Sequence, residues 1–189
     1  QHLAQIYNIT LRWDPRPAPF RLFERSRRSD WEDTVRQFLL FRYVIGVIPT
    51  YFEKGAHNPM ERYSWDEKAK NVNVDFTFNA NSLTGKKKSI PQRLYVDGYP
   101  KANGNMKASP FWPLKLPFLL MELSEDYQHC MVGYPSRAYL WIMSRTTDMN
   151  ADVYSQYVKI AEEQNYDISR IVKPPHNEQK VEQKKRDAA

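Results

Sequence analysis

The chain has 189 residues, of which 41% are hydrophobic and 26% charged, and this length suits one domain with a buried core. No apolar run approaches the ~20 residues of a transmembrane helix, so the composition argues against a protein that crosses a membrane by helices. The net charge is +6, and basic residues cluster at three places in the chain, Arg12–Arg28, Lys86–Lys88 and Lys184–Arg186. No nucleic-acid-binding motif accompanies these clusters, so nucleic acid is not an expected partner.

Residues 1–37 predict an extension outside the folded domain. Proline occupies every second position from Pro15 to Pro19, which favours an extended, polyproline-like path. A short helix is expected to begin at Ser29 or Asp30, because either residue can cap it and acidic residues follow in its first turn.

Strand signals begin after this extension and recur about every ten residues. The clearest is Val72–Phe78, in which apolar side chains alternate with polar ones, as in a strand with one buried face. The predicted strands are, in order, Phe41–Pro49, Met60–Trp65, Val72–Phe78, Gln92–Tyr99, Asn105–Trp112, Phe118–Leu123, Tyr127–Tyr134 and Ala138–Met143. Strands at this spacing indicate an antiparallel up-and-down barrel or a sandwich.

The period then changes to that of a helix. Val153, Tyr157 and Ala161 recur at helical spacing, and Asn150 or Thr147 is available as the N-cap. A short strand, Ile168–Lys173, is predicted to follow, and residues 174–189 are expected to form a charged tail.

Three motifs carry a resemblance to a known family. They are Tyr43-X-Ile ending in Phe-Glu-Lys-Gly55, Asp126-Tyr127-Gln-His, and Leu-Trp-Ile-Met-Ser-Arg145. In this order and at these separations they resemble the lipocalins, above all the bacterial and plant (temperature-induced) lipocalins and apolipoprotein D. The resemblance covers about residues 38–173. It implies an all-β fold: an eight-stranded antiparallel up-and-down barrel, or calyx, with a C-terminal α-helix and a short ninth strand.

One family motif is replaced. The Gly-X-Trp of the first lipocalin strand falls on Leu40 and Arg42, unless the sequence before Tyr43 carries an error. In the family this tryptophan plugs the closed end of the barrel beneath the arginine that matches Arg145. Two guanidinium groups should repel each other there and separate, and Trp13 or Trp31 of the extension is a candidate for the vacant place, with Arg145 over its ring.

The sequence does not predict an enzyme. The histidines lack metal-ligand spacing, and no nucleophile elbow, phosphate loop or dinucleotide fingerprint occurs. Cys130 lies in an apolar strand and is expected to be a small core residue, with a reactive thiol as the alternative. The resemblance to lipocalins also implies a protein that is not an enzyme, although a few lipocalins catalyse isomerisation. No metal or required cofactor is expected, and a bound lipid or pigment is compatible with the pattern.

The predicted ligand site is the barrel interior. Aromatic and sulfur-containing side chains dominate the positions expected to face inward, and they would bury an acyl chain or polyene by area. The alternative is that they simply fill the barrel. The residues are Phe76, Phe78, Tyr95, Met121, Tyr139, Trp141 and Met143. We therefore predict binding and carriage or scavenging of a lipophilic molecule, with fatty acid, lysophospholipid, sterol, carotenoid and tetrapyrrole all open.

A second hypothesis is that the barrel is the scaffold of an accessory subunit in a larger membrane-associated complex. The two ends cannot bury enough apolar surface to order themselves, so a partner protein would have to hold them. The single cysteine allows no intrachain disulfide, whereas secreted lipocalins usually carry one or two. An organellar location, in chloroplast or mitochondrion, or a peripheral membrane location is therefore favoured over secretion.

The loops expected at the open end of the barrel predict a membrane contact. They are 51–59, 82–89 and 110–117, and they carry Lys86, Lys87 and Lys88 together with Phe111 and Trp112. Rings at headgroup level and ammonium groups on anionic lipid would suit a bilayer surface. The alternative is that the two rings fold inward and the lysines only solvate a hairpin tip.

Overall fold

The computed structural model describes residues 40–96, 105–111 and 113–177, and its strands close into a barrel. Each strand is antiparallel to the next, and β8 pairs with β1. The strands are β1 (Phe41–Ile48), β2 (Ala56–Asp66), β3 (Asn71–Ala80), β4 (Lys87–Val96), β5 (Asn105–Ser109), β6 (Leu116–Leu123), β7 (His129–Gly133) and β8 (Leu140–Ser144). The predicted eight-stranded up-and-down barrel is confirmed. The predicted extension 1–37 lies outside the described residues.

Some strand boundaries differ from the prediction. β2 begins at Ala56 and β4 at Lys87, both earlier than expected, because residues predicted as loop pair with β3. Lys87 lies opposite Asn79 and Lys88 opposite Phe78. The β3–β4 hairpin is thus longer and its turn tighter than the sequence indicated.

One α-helix, α1 (Ala151–Glu163), follows the barrel in the described part of the chain. Asn150 is its N-cap, because its side-chain oxygen accepts hydrogen bonds from the backbone N–H groups of Asp152 and Val153, at 2.8 and 3.3 Å. The buried face of the helix, with Tyr157 and Ala161, packs on the outside of the barrel.

The predicted ninth strand is reduced to a single bridge. Ile168–Arg170 is a 3₁₀ turn, since the Asp167 carboxylate accepts hydrogen bonds from the backbone and hydroxyl of Ser169. Val172 alone pairs with β1, through reciprocal 2.9 Å backbone hydrogen bonds with Val47. The prediction of a strand over Ile168–Lys173 was therefore too long.

Apolar side chains form two clusters, one inside the barrel and one between the barrel and α1. Strand alternation sends neighbouring residues to different clusters. The interior cluster includes Val44, Val47, Tyr63, Val72, Val74, Phe76, Phe78, Leu94, Met106, Leu120, Leu123, Cys130, Val132 and Met143. The outer cluster includes Ile45, Ile48, Met131, Leu140, Ile142, Met149, Tyr157, Ala161 and Tyr166.

Candidate ligand-binding site

The strand order defines the two ends of the barrel. Because consecutive strands are antiparallel, the odd-to-even connections share one end, which comprises residues 49–55, 81–86, 110–115 and 134–139. This is the open end, and it gathers the three loops that the sequence grouped as the rim. At the closed end β1 begins, and the loop 124–128 lies between β6 and β7.

Five of the seven predicted ligand residues lie along the interior wall or at its mouth. Phe76, Phe78 and Met143 are buried in the interior cluster, and Trp141 packs against it. The Phe76 and Phe78 rings are 5.3 Å apart. Tyr139 continues the same row toward the open end, with its ring 6.3 Å from that of Trp141. That they bind a ligand remains a prediction.

Tyr95 and Met121 were wrongly assigned to the interior. Leu94 and Val96 face inward, so Tyr95 faces out, and the Lys115 ammonium lies 4.3 Å from its ring centroid. Met121 sits at an irregularity in the β6–β7 pairing and packs in the outer cluster. The Tyr166 hydroxyl contacts its sulfur at 3.5 Å.

A cavity of about 180 Å³ opens between β1 and β2 near the open end. Its walls include interior residues of three strands, Val44, Val47, Ala56 and Phe76, and the side chain of Glu53. A cavity of roughly this volume accommodates a single aromatic ring, whereas drug-sized ligands occupy about 300–1,000 Å³. The cavity in this conformation therefore has room for only part of a small lipophile.

The chain segment 172–177, here called the C-terminal strap, covers this cavity. Besides the Val47–Val172 bridge, Asn58 donates its backbone N–H to the Pro175 carbonyl at 2.8 Å. The His176 Nε2 lies 2.8 Å from the Val44 carbonyl, which fixes that nitrogen as the donor. The strap thus fills the space where β1 and β2 diverge.

Glu53 links the motif Phe-Glu-X-Gly to the interior wall. One carboxylate oxygen accepts a hydrogen bond from Trp141 Nε1 at 2.7 Å, and the other accepts one from the Thr50 backbone at 2.8 Å. Gly55 follows with a φ of +74°, a conformation that favours glycine, and its carbonyl accepts a bond from Asn81. The motif therefore fixes the orientation of Trp141 beneath the mouth.

Arg42 occupies the closed end where the family motif has tryptophan. Its side chain faces inward and is fully buried, and it donates to the carbonyls of Tyr127 at 3.1 Å and Gln128 at 3.4 Å. Asp126 holds the loop that carries these two carbonyls, because its carboxylate accepts hydrogen bonds from the Ser124 hydroxyl and from the Gln128 backbone N–H. The Arg42 side chain therefore plugs the closed end in place of the family tryptophan.

The two guanidinium groups donate to different parts of the chain, and their predicted separation stays a prediction. Arg145 stays half-buried and donates to the Phe41 carbonyl at 3.0 Å. Burial, and secondarily the positive charge of Arg42, lowers the Arg145 pKa to about 10. The suggested replacements, Trp13 and Trp31, lie outside the described residues. Tyr43, the remaining motif residue, packs its ring edge-on against His176.

Sequence reasoning missed a polar trio inside the barrel. Glu61 lies opposite Arg42 in the β1–β2 register, is 7% exposed, and accepts a hydrogen bond from the Tyr63 hydroxyl. Burial raises the Glu61 pKa to about 7, against the lowering effects of Tyr63 and Arg42. The sequence does contain a pattern that predicts this position: Tyr63 and Trp65 face inward in alternation with polar residues, and the same alternation places Glu61 on the inward face of β2.

A family model described as a lipocalin-like domain matches residues 36–176, a range that contains all eight strands of the barrel. The chain is a lipocalin. The resemblance drawn from the motifs is confirmed. Lipocalins bind small hydrophobic ligands and are generally binding and transport proteins rather than enzymes.

Curated relatives match parts of this lipocalin. Temperature-induced lipocalin-1 of Arabidopsis thaliana is 42% identical over 69 residues, which are 36% of this chain and 37% of that protein. Outer membrane lipoprotein Blc of Escherichia coli (strain K12) is 27% identical over 138 residues, 72% of this chain and 76% of that protein. The chain thus spans well under half of the Arabidopsis protein and about three quarters of the bacterial one.

Solved structures share the fold. Lobster apocrustacyanin A1 has a TM-score of 0.61 at 15% identity, and the match covers 79% of this chain and 83% of that one. Insecticyanin from the tobacco hornworm Manduca sexta has a TM-score of 0.56 at 15% identity, over 76% of this chain and 81% of that one. At these identities the likeness shows the barrel architecture alone.

The open end of this lipocalin exposes aromatic rings beside lysines. Phe111 is 50% exposed, as is Phe52, and Tyr51 is 68% exposed. Lys86–Lys88 are exposed in the neighbouring turn and strand. Trp112 lies outside the described residues. The alternative in which Phe111 folds inward is therefore wrong.

Two further features of the described residues bear on chemistry. Cys130 is fully buried in the interior cluster, and burial raises its thiol pKa, as expected of a core cysteine. Across 40–96, 105–111 and 113–177, His, Cys, Asp and Glu nowhere group as metal ligands would. In the same part of the chain, α1 and the short turns are not long and apolar enough to cross a bilayer.

Proposed function

We propose that this lipocalin binds a small lipophilic ligand in its barrel and carries or scavenges it. The observation that carries the proposal is the apolar cavity beneath the mouth, whose lining continues into the Phe76, Phe78 and Met143 wall. Each Å² of apolar ligand surface buried there contributes about 25 cal/mol, so a single acyl chain gains several kcal/mol.

The width of the cavity favours some ligand classes over others. A volume of about 180 Å³ between two strands supports a linear chain, as in a fatty acid or lysophospholipid. A sterol, carotenoid or tetrapyrrole needs more space. Such ligands would require displacement of the C-terminal strap, which is held to β1 and β2 by the hydrogen bonds of Val172, Pro175 and His176.

A cavity-filling substitution tests the proposal. Ala56 lines the cavity, and Ala56→Leu should weaken the binding of a fluorescent naphthylamine probe, and of lipids that displace it, by about tenfold, since the added carbons take ligand volume. Ala151→Leu, on the exposed first turn of α1, is the matched control. Equal probe affinity in both variants, together with no lipid on mass spectrometry of the native protein, would refute barrel binding.

A second proposal concerns the open end: that it docks on anionic bilayers at a peripheral or organellar membrane so that lipid can pass to the barrel. Exposed Phe52 and Phe111 beside Lys86–Lys88 support it, because rings partition to headgroup level and ammonium groups attract anionic lipid. The alternative of an accessory subunit depends on residues 1–37 and 174–189, which lie largely outside the described residues, and it stays a prediction.

Co-sedimentation with phosphatidylserine-containing vesicles tests the docking. The double substitution Phe111→Ala with Trp112→Ala should reduce the bound fraction several-fold, and raising salt from 0.05 to 0.5 M (about a threefold shorter Debye length) should reduce it further. Phe41→Ala is the matched control, because Phe41 is 37% exposed at the opposite end of the barrel. Unchanged binding of the double variant and no salt effect would show that the rim is not the contact.

A further inference from the structure

We infer that Glu61, with Tyr63 beside it, anchors a protonated amine at the polar end of the lipophilic ligand. The inference rests on the proposed barrel binding and adds to it the chemical class of the head group. It starts from the position of Glu61, a 7% exposed carboxyl group among the apolar side chains of the barrel interior.

Glu61 lies next to the cavity. Its cross-strand partner on β3 is Phe76, and Pro59 precedes it by two positions on β2; both line the cavity. On the other side its partner is Arg42, and Val44, the next inward residue of β1, is also a cavity wall. Glu61 does not line the cavity itself, but residues that do flank it on both neighbouring strands, so a ligand long enough to pass between Phe76 and Val44 would meet its carboxyl group.

The two carboxylates near this cavity, those of Glu53 and Glu61, keep acceptor sites open. The Tyr63 hydroxyl donates a hydrogen bond to Glu61, and the Trp141 indole N–H donates one to Glu53. Arg42 directs its two terminal nitrogens at backbone carbonyls of the closed-end loop. The carboxylates of Glu53 and Glu61 retain lone pairs, because each ionised carboxylate has about four acceptor sites. The ammonium groups of Lys54 and Lys173 also border the cavity, but both residues are exposed, so the buried groups that a ligand would meet offer acceptor sites to a donor.

Charge separates the possible donors. A hydroxyl group could donate to Glu61, but an ammonium group also compensates the negative charge, and charge-assisted bonds are about twice as strong as neutral ones. A ligand carboxylate would meet like charge from both Glu53 and Glu61; the positive charge of Arg42, opposite Glu61, offsets only one of these two, so one negative charge remains in excess when Glu61 is ionised. The site therefore selects amines first, alcohols second and carboxylates last.

The protonation of Glu61 gives this selection a pH dependence. Burial is the main cause of its pKa of about 7; Glu53 also raises that pKa, while Tyr63 and Arg42 lower it, and the buried Cys130 thiol faces the same group. Below pH 7 the carboxyl is mostly neutral and attracts a cation weakly. Amine affinity should therefore rise as pH increases from 6 to 8, and carboxylate affinity should fall.

Calorimetric titration with n-octylamine, n-octanol and n-octanoate tests the inference, because these probes differ only in the head group. We expect octylamine to bind about tenfold more tightly than octanoate at pH 8, and more tightly at pH 8 than at pH 6. Glu61→Gln should reduce octylamine affinity about tenfold and abolish its pH dependence, while octanol affinity changes by less than about twofold.

Tyr63→Phe provides a second test that keeps the carboxyl group. Without the Tyr63 hydrogen bond, which lowers the Glu61 pKa, the midpoint of the octylamine pH dependence should move to higher pH. If octanol and octanoate bind but octylamine is not preferred and Glu61→Gln has no effect, the amine anchor is overturned and barrel binding stands. If none of the three probes binds, the proposed function itself fails.

Discussion

Replacing Arg42 by alanine should lower the free energy of unfolding by about 3–5 kcal/mol, a large share of the stability of a domain this size. The guanidinium group is fully buried, so its removal leaves the Tyr127 and Gln128 carbonyls without this donor at the closed end. It also leaves Glu61 without the positive charge opposite it in the β1–β2 register. The cavity left by the side chain adds to the loss.

Urea unfolding at pH 7.5 measures this effect, and Arg62→Ala is the matched control. Arg62 lies one position along the same pairing, opposite Phe41, but it is exposed, and its replacement should cost less than about 0.5 kcal/mol. Arg42→Met should recover part of the loss, because it restores volume without a charge. Equal costs for Arg42→Ala and Arg62→Ala would mean that the buried guanidinium does not plug the closed end.

The alternation of β3 explains why the barrel could be predicted from sequence. Val72, Val74, Phe76 and Phe78 enter the interior as the period of two requires. The helix could be predicted equally well, because Asn150 caps it and Tyr157 and Ala161 share its buried face. Local chemistry specifies these elements, so a single sequence suffices to find them.

Met121 and Tyr95 show where local patterns fail. Phe118 and Leu120 face the interior, so Met121 faces the outer cluster, and the register shift between Leu120 and Glu122 then lets Leu123 face inward as well. A bulge depends on the partner strand, so alternation within β6 does not reveal it. The prediction counted Tyr95 among the inward-facing aromatic residues, although Leu94 and Val96 occupy the inward positions on either side of it.

Arg42 and Glu61 show that sequence patterns also fail to predict which charged side chains are buried. Both were visible in the sequence at inward positions, yet charged side chains are almost never fully buried unless paired. Arg42 and Glu61 lie opposite each other because of the β1–β2 register, and the acceptors for Arg42 come from a loop about 85 residues along the chain, as the sequence separations of these bonds show. The site is therefore set by tertiary contacts that no local pattern reports.

The contribution of Glu61 to the stability of the protein should fall as pH rises from 5 to 8. Its pKa is raised from the ordinary glutamate value of 4.5 to about 7 in the folded protein, mainly by burial. The folded state thus binds more protons than the unfolded state between these values, so this contribution is fully present below pH 4.5 and is lost as pH rises through 7. This difference between the folded and unfolded pKa values corresponds to about 3 kcal/mol in the free energy of unfolding.

Chemical denaturation of the wild type and Glu61→Gln at pH 5, 6, 7 and 8 isolates this contribution. His129 and His176 act in the opposite direction, since burial lowers their pKa values and their contributions are lost as pH falls, but both residues are present in each protein and cancel in the difference. We expect Glu61→Gln to gain stability on the wild type by up to about 3 kcal/mol between pH 5 and pH 8. Glu162→Gln, on the exposed face of α1, should show no such gain. Parallel pH profiles for wild type and Glu61→Gln would mean that the Glu61 pKa is not raised in the folded protein, and the expected pH dependence of the amine anchor would lose its basis.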